Sequence, residues 1–456
     1  VLSTVITGIL GVFVASINST IDSAVIPALI VPALTAALVG GFRSFGLTTL
    51  AAFLLGMQLP VIQTAGVRES WYPKAGSFSI PGVDTMIPLI VIVAVLFLRG
   101  NALPGRGALQ SGRLPSAPTP GRRSIFVVGP IAAGLALLCL LFFFGPTNRD
   151  AFTTSLIAMI VCLSLVIVTG FLGQISLAPL TFAGLSAFLV AELSLERGWP
   201  FPVPILAGAL LATLVGLLVA LPALRIRGVN LAIITLSFAL AADRFIFDNA
   251  DVNGGILGAR VDTPEILQQS RATSWTLLGQ FTAGDDLRPN PMTGVMVLVA
   301  VVILAYATAN LRRSTWGRRF IAVRANEQTK AIGFGFSAFV AGVAGGLIAY
   351  RAEAATQQSF EYQLSLVFFA FAYLGGISRV SGAIAGGLIA AGGLAFVTLE
   401  HWFGIPDEFT LLIGGLGLMV APILNPEGMI AAFEHQAAFA RRLFRGNEAD
   451  TRRAEL

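Results

Sequence analysis

The chain is 456 residues long, 55% hydrophobic and only 12% charged, with a mean hydropathy of +0.83 and a formal net charge of +5. A soluble domain carries roughly 25% charged residues, so this composition excludes a water-soluble enzyme and a disordered scaffold and implies a polytopic α-helical membrane protein. The 49 glycines and 23 prolines fit that class, because membrane helices tolerate both better than soluble ones do.

A bilayer core about 30 Å thick requires about 20 apolar residues per helix. On that template the chain yields fourteen candidate spans, the first four near 1–17, 25–40, 46–65 and 83–98. Ten more follow near 124–145, 151–170, 178–192, 203–222, 229–247, 293–311, 334–350, 363–376, 382–398 and 409–424. Between the two groups, 99–123 holds five Arg and no acid among Pro, Gly and Ser, and reads as a flexible cytoplasmic linker. Counting onward from it places Arg225 and Arg227, the 312–333 segment, Arg379 and the 425–456 tail in the cytoplasm. All of these carry Arg, whereas the opposite loops 248–292 and 399–408 are acidic or balanced. The alternation holds through all ten spans.

The chain also repeats itself. Gly8-Ile-Leu-Gly11-Val-Phe-Val-Ala15 aligns with Gly342-Val-Ala-Gly345-Gly-Leu-Ile-Ala349, and Leu38-Val-Gly40-Gly41-Phe42 with Tyr373-Leu-Gly375-Gly376-Ile377. The register is kept, so 1–98 corresponds to the last four spans of the ten-helix 124–424 unit. The expected fold is therefore all-α, with about 14 transmembrane helices. A complete ten-helix unit is preceded by the last four helices of a homologous one, as in transporters built from parallel repeats. About 210 residues of the first unit are then expected upstream of Val1, or on a further permease chain that supplies the missing N-terminal helices.

Few residues offer chemistry. No P-loop is present, and Cys139 and Cys162 lie inside apolar runs, while His401 and His435 lack ligand-like spacing. No metal, no cofactor, no nucleic-acid partner and no catalytic residue is expected. The polar break Gly170-Phe-Leu-Gly173-Gln174-Ile-Ser176-Leu177 suits a bent or interrupted helix whose freed backbone groups line a cavity. Gln174 and Ser176, with Asn230 and Thr235, are candidates for a substrate path; the competing reading is polar glue between helices. Residues 312–333 mix six cations with apolar positions at helical spacing. Such a loop either presents a helix to a partner groove or anchors topology and anionic lipid. Loop 248–292 either solvates the outer face or docks a partner.

Trp316-Gly317-Arg318-Arg319-Phe-Ile-Ala-Val-Arg324-Ala-Asn326-Glu327 resembles the cytoplasmic coupling segment of branched-chain amino acid ABC importer permeases. Gly170–Leu177 resembles that family's G-x-x-G-Q-x-S-L motif, Arg227–Leu236 its R-G-x-Y-L-A-I-x-T-L stretch, and Asn253-Gly254-Gly255 its external T-G-G loop. Gly375-Gly376 followed by Gly382 resembles its G-G-x-G-S-x-x-G signature, and 1–98 is similar to the C-terminal portion of the sister permease. Ala178-Pro179 stand where the family commonly has Gly-His, and the stretch after Gly333 is shorter than usual. The resemblance implies a multi-pass permease of the bacterial inner membrane that imports branched-chain or related hydrophobic amino acids, with urea or a short amide as the alternative cargo. An ion-coupled secondary transporter is the less favoured alternative, since the spans hold almost no carboxylates away from their ends. The resemblance also implies partner ABC ATPase subunits, which use ATP and Mg, and an extracytoplasmic substrate-binding protein. Trp316 to Glu327 and Gly333 would couple to the ATPase, Asn253 to Gly255 would dock the binding protein, and Gly40, Gly41, Gly375, Gly376 and Gly382 would pack helices.

Overall fold

A computed structural model describes residues 2–18, 28–68, 72, 74–75, 78–79, 81–99, 119–224, 229–255, 258–262, 291–315, 317 and 327–404, with a few isolated positions beyond. Most of the linker, the 263–290 part of the outer loop, most of the expected 409–424 span and most of the tail lie outside the described residues.

Packing divides the chain into two compact units, Val1–Pro104 with Ile233–Asn249, and Gly105–Ala232 with Ala250–Leu456. Among the described residues, seven helices are long and apolar enough to cross a membrane, and Ile30–Val39 and Val83–Leu98 are shorter apolar helices.

The first unit contains α1 (Leu2–Asn18), α2 (Ile30–Val39), α3 (Phe45–Arg68) and α4 (Val83–Arg99). Between α3 and α4, β1 (Lys74–Ala75) and β2 (Phe78–Ser79) pair antiparallel, Lys74 opposite Ser79. Gly82, in the left-handed region, lets the start of α4 lie directly on the backbone of Arg244. That contact explains why the 233–249 stretch packs with this unit.

The second unit begins with α5 (Ile125–Phe143) and α6 (Pro146–Phe171), the latter ending in a π-turn over Val166–Phe171. It continues with α7 (Pro179–Glu196) and α8 (Val203–Leu224). Next comes α9 (Val229–Ala242), whose body from Ile233 onward clusters with the first unit. The rest are α10 (Pro291–Arg313), α11 (Glu327–Ala352), α12 (Tyr362–Gly375), α13 (Val380–Leu388) and α14 (Leu394–Phe403). Helix α6 is the hub and is almost wholly buried, whereas α5 is largely exposed.

Small residues set the α7–α8–α11 core. On α11, Ala338, Gly342 and Gly346 recur every four residues and face Gly216, Ala209 with Ala212, and Ile205 of α8, in antiparallel order. Gly345 lies against the backbone of Ala183 on α7, and Gly208 of α8 against Ser186. Without water to drive association, membrane helices gain from such close backbone approach.

The expected 382–398 span is not one helix. Helix α13 stops at Leu388, the chain turns through Gly392 in the left-handed region, and α14 starts at Leu394. A helix interrupted among apolar neighbours must find partners for its freed backbone groups. Ser155 of α6 does this, accepting the Leu394 N–H at 2.8 Å. Replacing Ser155 by Ala leaves that N–H unpaired and should cost about 1–3 kcal/mol, to be read as a lower unfolding temperature of the purified chain in nanodiscs. An unchanged temperature would mean that water or a neighbour replaces the serine.

The boundaries of α3 and of the α13–α14 pair repeat at an offset of 335 residues, from Phe45 to Val380 and from Arg68 to Phe403. Each follows a turn carrying a left-handed Gly, Gly41 in one case and Gly376 in the other. Helix α3 runs through Pro60 without interruption; the α13–α14 stretch is broken.

Candidate functional site at the helix break

The sequence of α6 runs apolar to Phe171 and then meets Gly173 and two polar residues. There the helix ends: Gly173 takes a left-handed φ of 68°, its N–H donates to the Thr169 carbonyl at 3.1 Å, and the Gln174 N–H donates to the Val168 carbonyl at 3.0 Å. Residues 173–178 are not helical, yet Gln174 and Ser176 are buried, at 5% and 3% exposure. Pro179 restarts the helix at a position that needs no N–H. Ser365 of α12 accepts the N–H of Leu180 at 3.2 Å and so caps α7 from a distance of 185 residues in sequence. Ser337 of α11 donates to the Ser164 carbonyl at 2.7 Å, at the shoulder of the π-turn.

The hydroxyls of Thr169 and Thr181, one on either side of the break, are buried without a hydrogen-bond partner. Such groups are uncommon in folded proteins and call for a specific explanation. The break therefore concentrates unmet polar capacity within otherwise apolar helices.

Other expected residues converge on it. A side-chain carbon at Gly170 would strike the Ile377 carbonyl, and one at Gly333 would meet the methyls of Leu172. Gly375 lies against the backbone of Gly382 and Gly386, Gly382 against Gly376, and the left-handed Gly428 against Gly376 as well. The first turns of α11, the 170–178 break and the 375–382 turn thus form one junction.

The coupling segment is only partly described. Trp316, Arg318, Arg319, Arg324 and Asn326 lie outside the described residues, as does the side chain of Glu327. Gly317 is buried against the Leu311 and Arg312 carbonyls, and its N–H donates to the Ser314 hydroxyl at 3.2 Å. The expected start of the next span at 334 is corrected, since helix α11 already begins at Glu327. Residues 327–333 are its first two turns rather than loop, because Glu-Gln-Thr-Lys-Ala-Ile contains no helix breaker and a helix can extend past the apolar core with polar residues.

On the opposite end, the Asn253 side chain accepts the Gly255 N–H at 2.7 Å, and Gly254 and Gly255 are both left-handed. This turn leads into β3 (Ala259–Arg260), which pairs antiparallel with β4 (Ala354–Ala355) just after α11, and the Val261 N–H donates to the Glu353 carbonyl at 3.0 Å. Nearby in sequence, Arg351 grips Asp150 in a bidentate pair, with Nη2 at 2.7 and 2.8 Å from the two carboxylate oxygens. Arg149 closes the end of α5 by donating from Nε to the Leu140 carbonyl and from Nη2 to that of Phe144, both at 3.2 Å. The pair is partly exposed, so Arg351→Gln should cost at most about 1 kcal/mol, measurable as a small fall in denaturation midpoint that high salt largely erases.

Thr235 is fully buried in the first unit, and Asn230 is helical with its side chain outside the described residues. Gly40 packs against Thr48 in the first unit, at the turn led by Gly41. The serines Ser155, Ser337 and Ser365 were not among the expected site residues. Their only sequence signal is a hydroxyl inside an apolar span.

A chain of buried, small-residue-packed helices with polar interruptions is a multi-pass membrane protein. Residues 149–422 match the family model described as branched-chain amino acid transport system / permease component, which is more than half of the chain. The chain belongs to this family. It is 27% identical over 320 residues to the high-affinity branched-chain amino acid transport system permease protein LivM of Escherichia coli (strain K12), covering 66% of this chain and 74% of that one. It is 28% identical over 301 residues to the permease protein of the same name from Salmonella typhimurium (strain LT2), covering 62% and 69%. No solved structure matches it significantly. The chain is thus a transport subunit rather than an enzyme, and the family as a whole works with ABC ATPases and substrate-binding proteins.

Proposed function

We propose that this chain is the membrane permease of an ATP-driven importer for branched-chain or related hydrophobic amino acids in the bacterial inner membrane. The observation that carries the reading is the contact of Gly333, in the first turns of α11, with Leu172 in the polar break. ATP-driven closure of a partner ATPase dimer pushes on the 316–333 segment. The Gly333–Leu172 contact then passes that movement to the break, and Gly170 passes it on to the turn at Ile377. The linker and tail are cytoplasmic on this reading. Asn253 to Gly255, held beside the β3–β4 pair, face the binding protein.

The buried hydroxyls of Thr169 and Thr181, with Gln174 and Ser176, supply hydrogen bonds to the polar end of an amino acid as it passes. Apolar neighbours accept its side chain. Energy comes from hydrolysis in the partner, and ligand and nucleotide shift the populations of two helix arrangements.

The test is uptake of radiolabelled leucine into proteoliposomes holding the chain with its ATPase, any accompanying permease chain and its binding protein. Uptake should require ATP and the binding protein, and Gln174→Leu should lower it without loss of folded protein. Uptake driven by an ion gradient in the absence of ATP would overturn the assignment.

A further inference from the structure

Helical threonines of the second unit such as Thr153, Thr154 and Thr213 bond back to the carbonyl four residues earlier, at 2.8 to 2.9 Å. Thr169 and Thr181 do not: both hydroxyls are without a partner, at 4% and 0% exposure. Ser186 and Thr308 share that condition but lie in helix interiors. Thr169 is in the last turn of α6 and Thr181 in the first turn of α7.

Those two turns present opposite partial charges. At the end of α6, the Val168 and Thr169 carbonyls take the N–H groups of Gln174 and Gly173. The helix stops before it could satisfy the carbonyls of Gly170 and Phe171. At the start of α7, the Leu180 N–H goes to Ser365 and that of Phe182 to the Ala178 carbonyl, with Thr181 between them. The helix dipole makes the first end partly negative and the second partly positive. A broken membrane helix with two such ends suits a solute that carries both charges.

We propose that the break is a binding site for the zwitterionic head of an α-amino acid. The carboxylate accepts from the Thr181 hydroxyl at the first turn of α7, and the ammonium donates to the Thr169 hydroxyl at the carbonyl end of α6. A threonine hydroxyl can play either part, so each takes the one that its helix end favours. The proposal rests on reading the break as the substrate path, and it deepens that reading by assigning each pole. A neutral amide or urea gains little from either dipole, so the site selects against it.

The experiment measures equilibrium binding of radiolabelled leucine to the full chain with its ATPase in nanodiscs. The binding protein is left out, so its own selectivity does not enter. Competitors are leucinamide, which lacks the carboxylate, 4-methylpentanoate, which lacks the ammonium, and the neutral 4-methylpentanamide. Leucine should compete best and the neutral amide least. Thr181→Val should weaken leucine about tenfold and leave leucinamide unchanged. Thr169→Val should weaken leucine and leucinamide alike and leave 4-methylpentanoate unchanged. Each replacement removes a buried hydroxyl that has no partner, so the unfolding temperature without ligand should hold or rise. Absence of leucine binding, a neutral amide that competes as well as leucine, or variants that weaken all four compounds equally would overturn the proposal. So would variants without effect, or with the two poles exchanged. Uptake driven by an ion gradient would sink ATP-driven import and leave this binding result intact. Absent binding beside normal ATP-dependent uptake would sink the present proposal alone.

Discussion

Chains carrying Gly345→Leu should fail to accumulate as folded protein in the membrane. Gly345 sits against the Ala183 backbone at the centre of the α7–α11 interface, where even one carbon has no room. Backbone cannot rotate away as a flexible side chain can, so the helices must separate, and α11 would also lose its contacts with α8. Overpacking of this kind costs about 1–3 kcal/mol at ordinary core sites and more where backbone is struck. Total stabilities are only about 5–15 kcal/mol. Fluorescence-detected size-exclusion chromatography of a tagged chain gives the measurement. The matched control is Gly134→Leu on α5, where the added side chain meets open space; it should behave as the parent. Equal recovery of both variants would show that α11 does not depend on close approach.

Gly333→Val should instead separate assembly from transport. The added methyls meet the side chain of Leu172, which can move by changing rotamer, so the helices stay packed. What changes is the position of the break relative to α11. Binding-protein-dependent leucine uptake should therefore fall severalfold while co-purification with the ATPase and recovery of folded chain stay at parental levels. Normal uptake would remove Gly333 from the coupling route. Joint loss of folding and uptake would reduce the contact to ordinary packing.

Much of this architecture was legible in the residues, for a physical reason. Apolar runs of bilayer length are local properties, so most spans could be read without knowing any contact. The Gly-rich stretches at 170–177 and 375–382 were also visible, because close approach and left-handed turns favour glycine. The α13–α14 break was not visible: 382–398 is uniformly apolar, and Gly392-Gly393 reads as one more small-residue patch in a class of helices that tolerates them. Nor was the true start of α11, since Glu327 to Lys330 look like loop when burial is inferred from hydropathy alone. The serine partners were the least legible. Ser155 and Leu394 are 239 residues apart, and Leu180 and Ser365 are 185 apart, so no local pattern links a hydroxyl to the backbone group it satisfies.

The contrast between α3 and α13–α14 bears on how each would carry a load. A bending force on α3 is resisted by a hydrogen-bonded ladder over 24 residues, missing only the bond that Pro60 cannot make. The same force on its counterpart falls on a short joint around Gly392, braced sideways by the Ser155 hydroxyl. Two stretches whose helix boundaries recur at the same spacing thus form a strut in one case and an elbow in the other, and mirror-image strokes of the two are not to be expected.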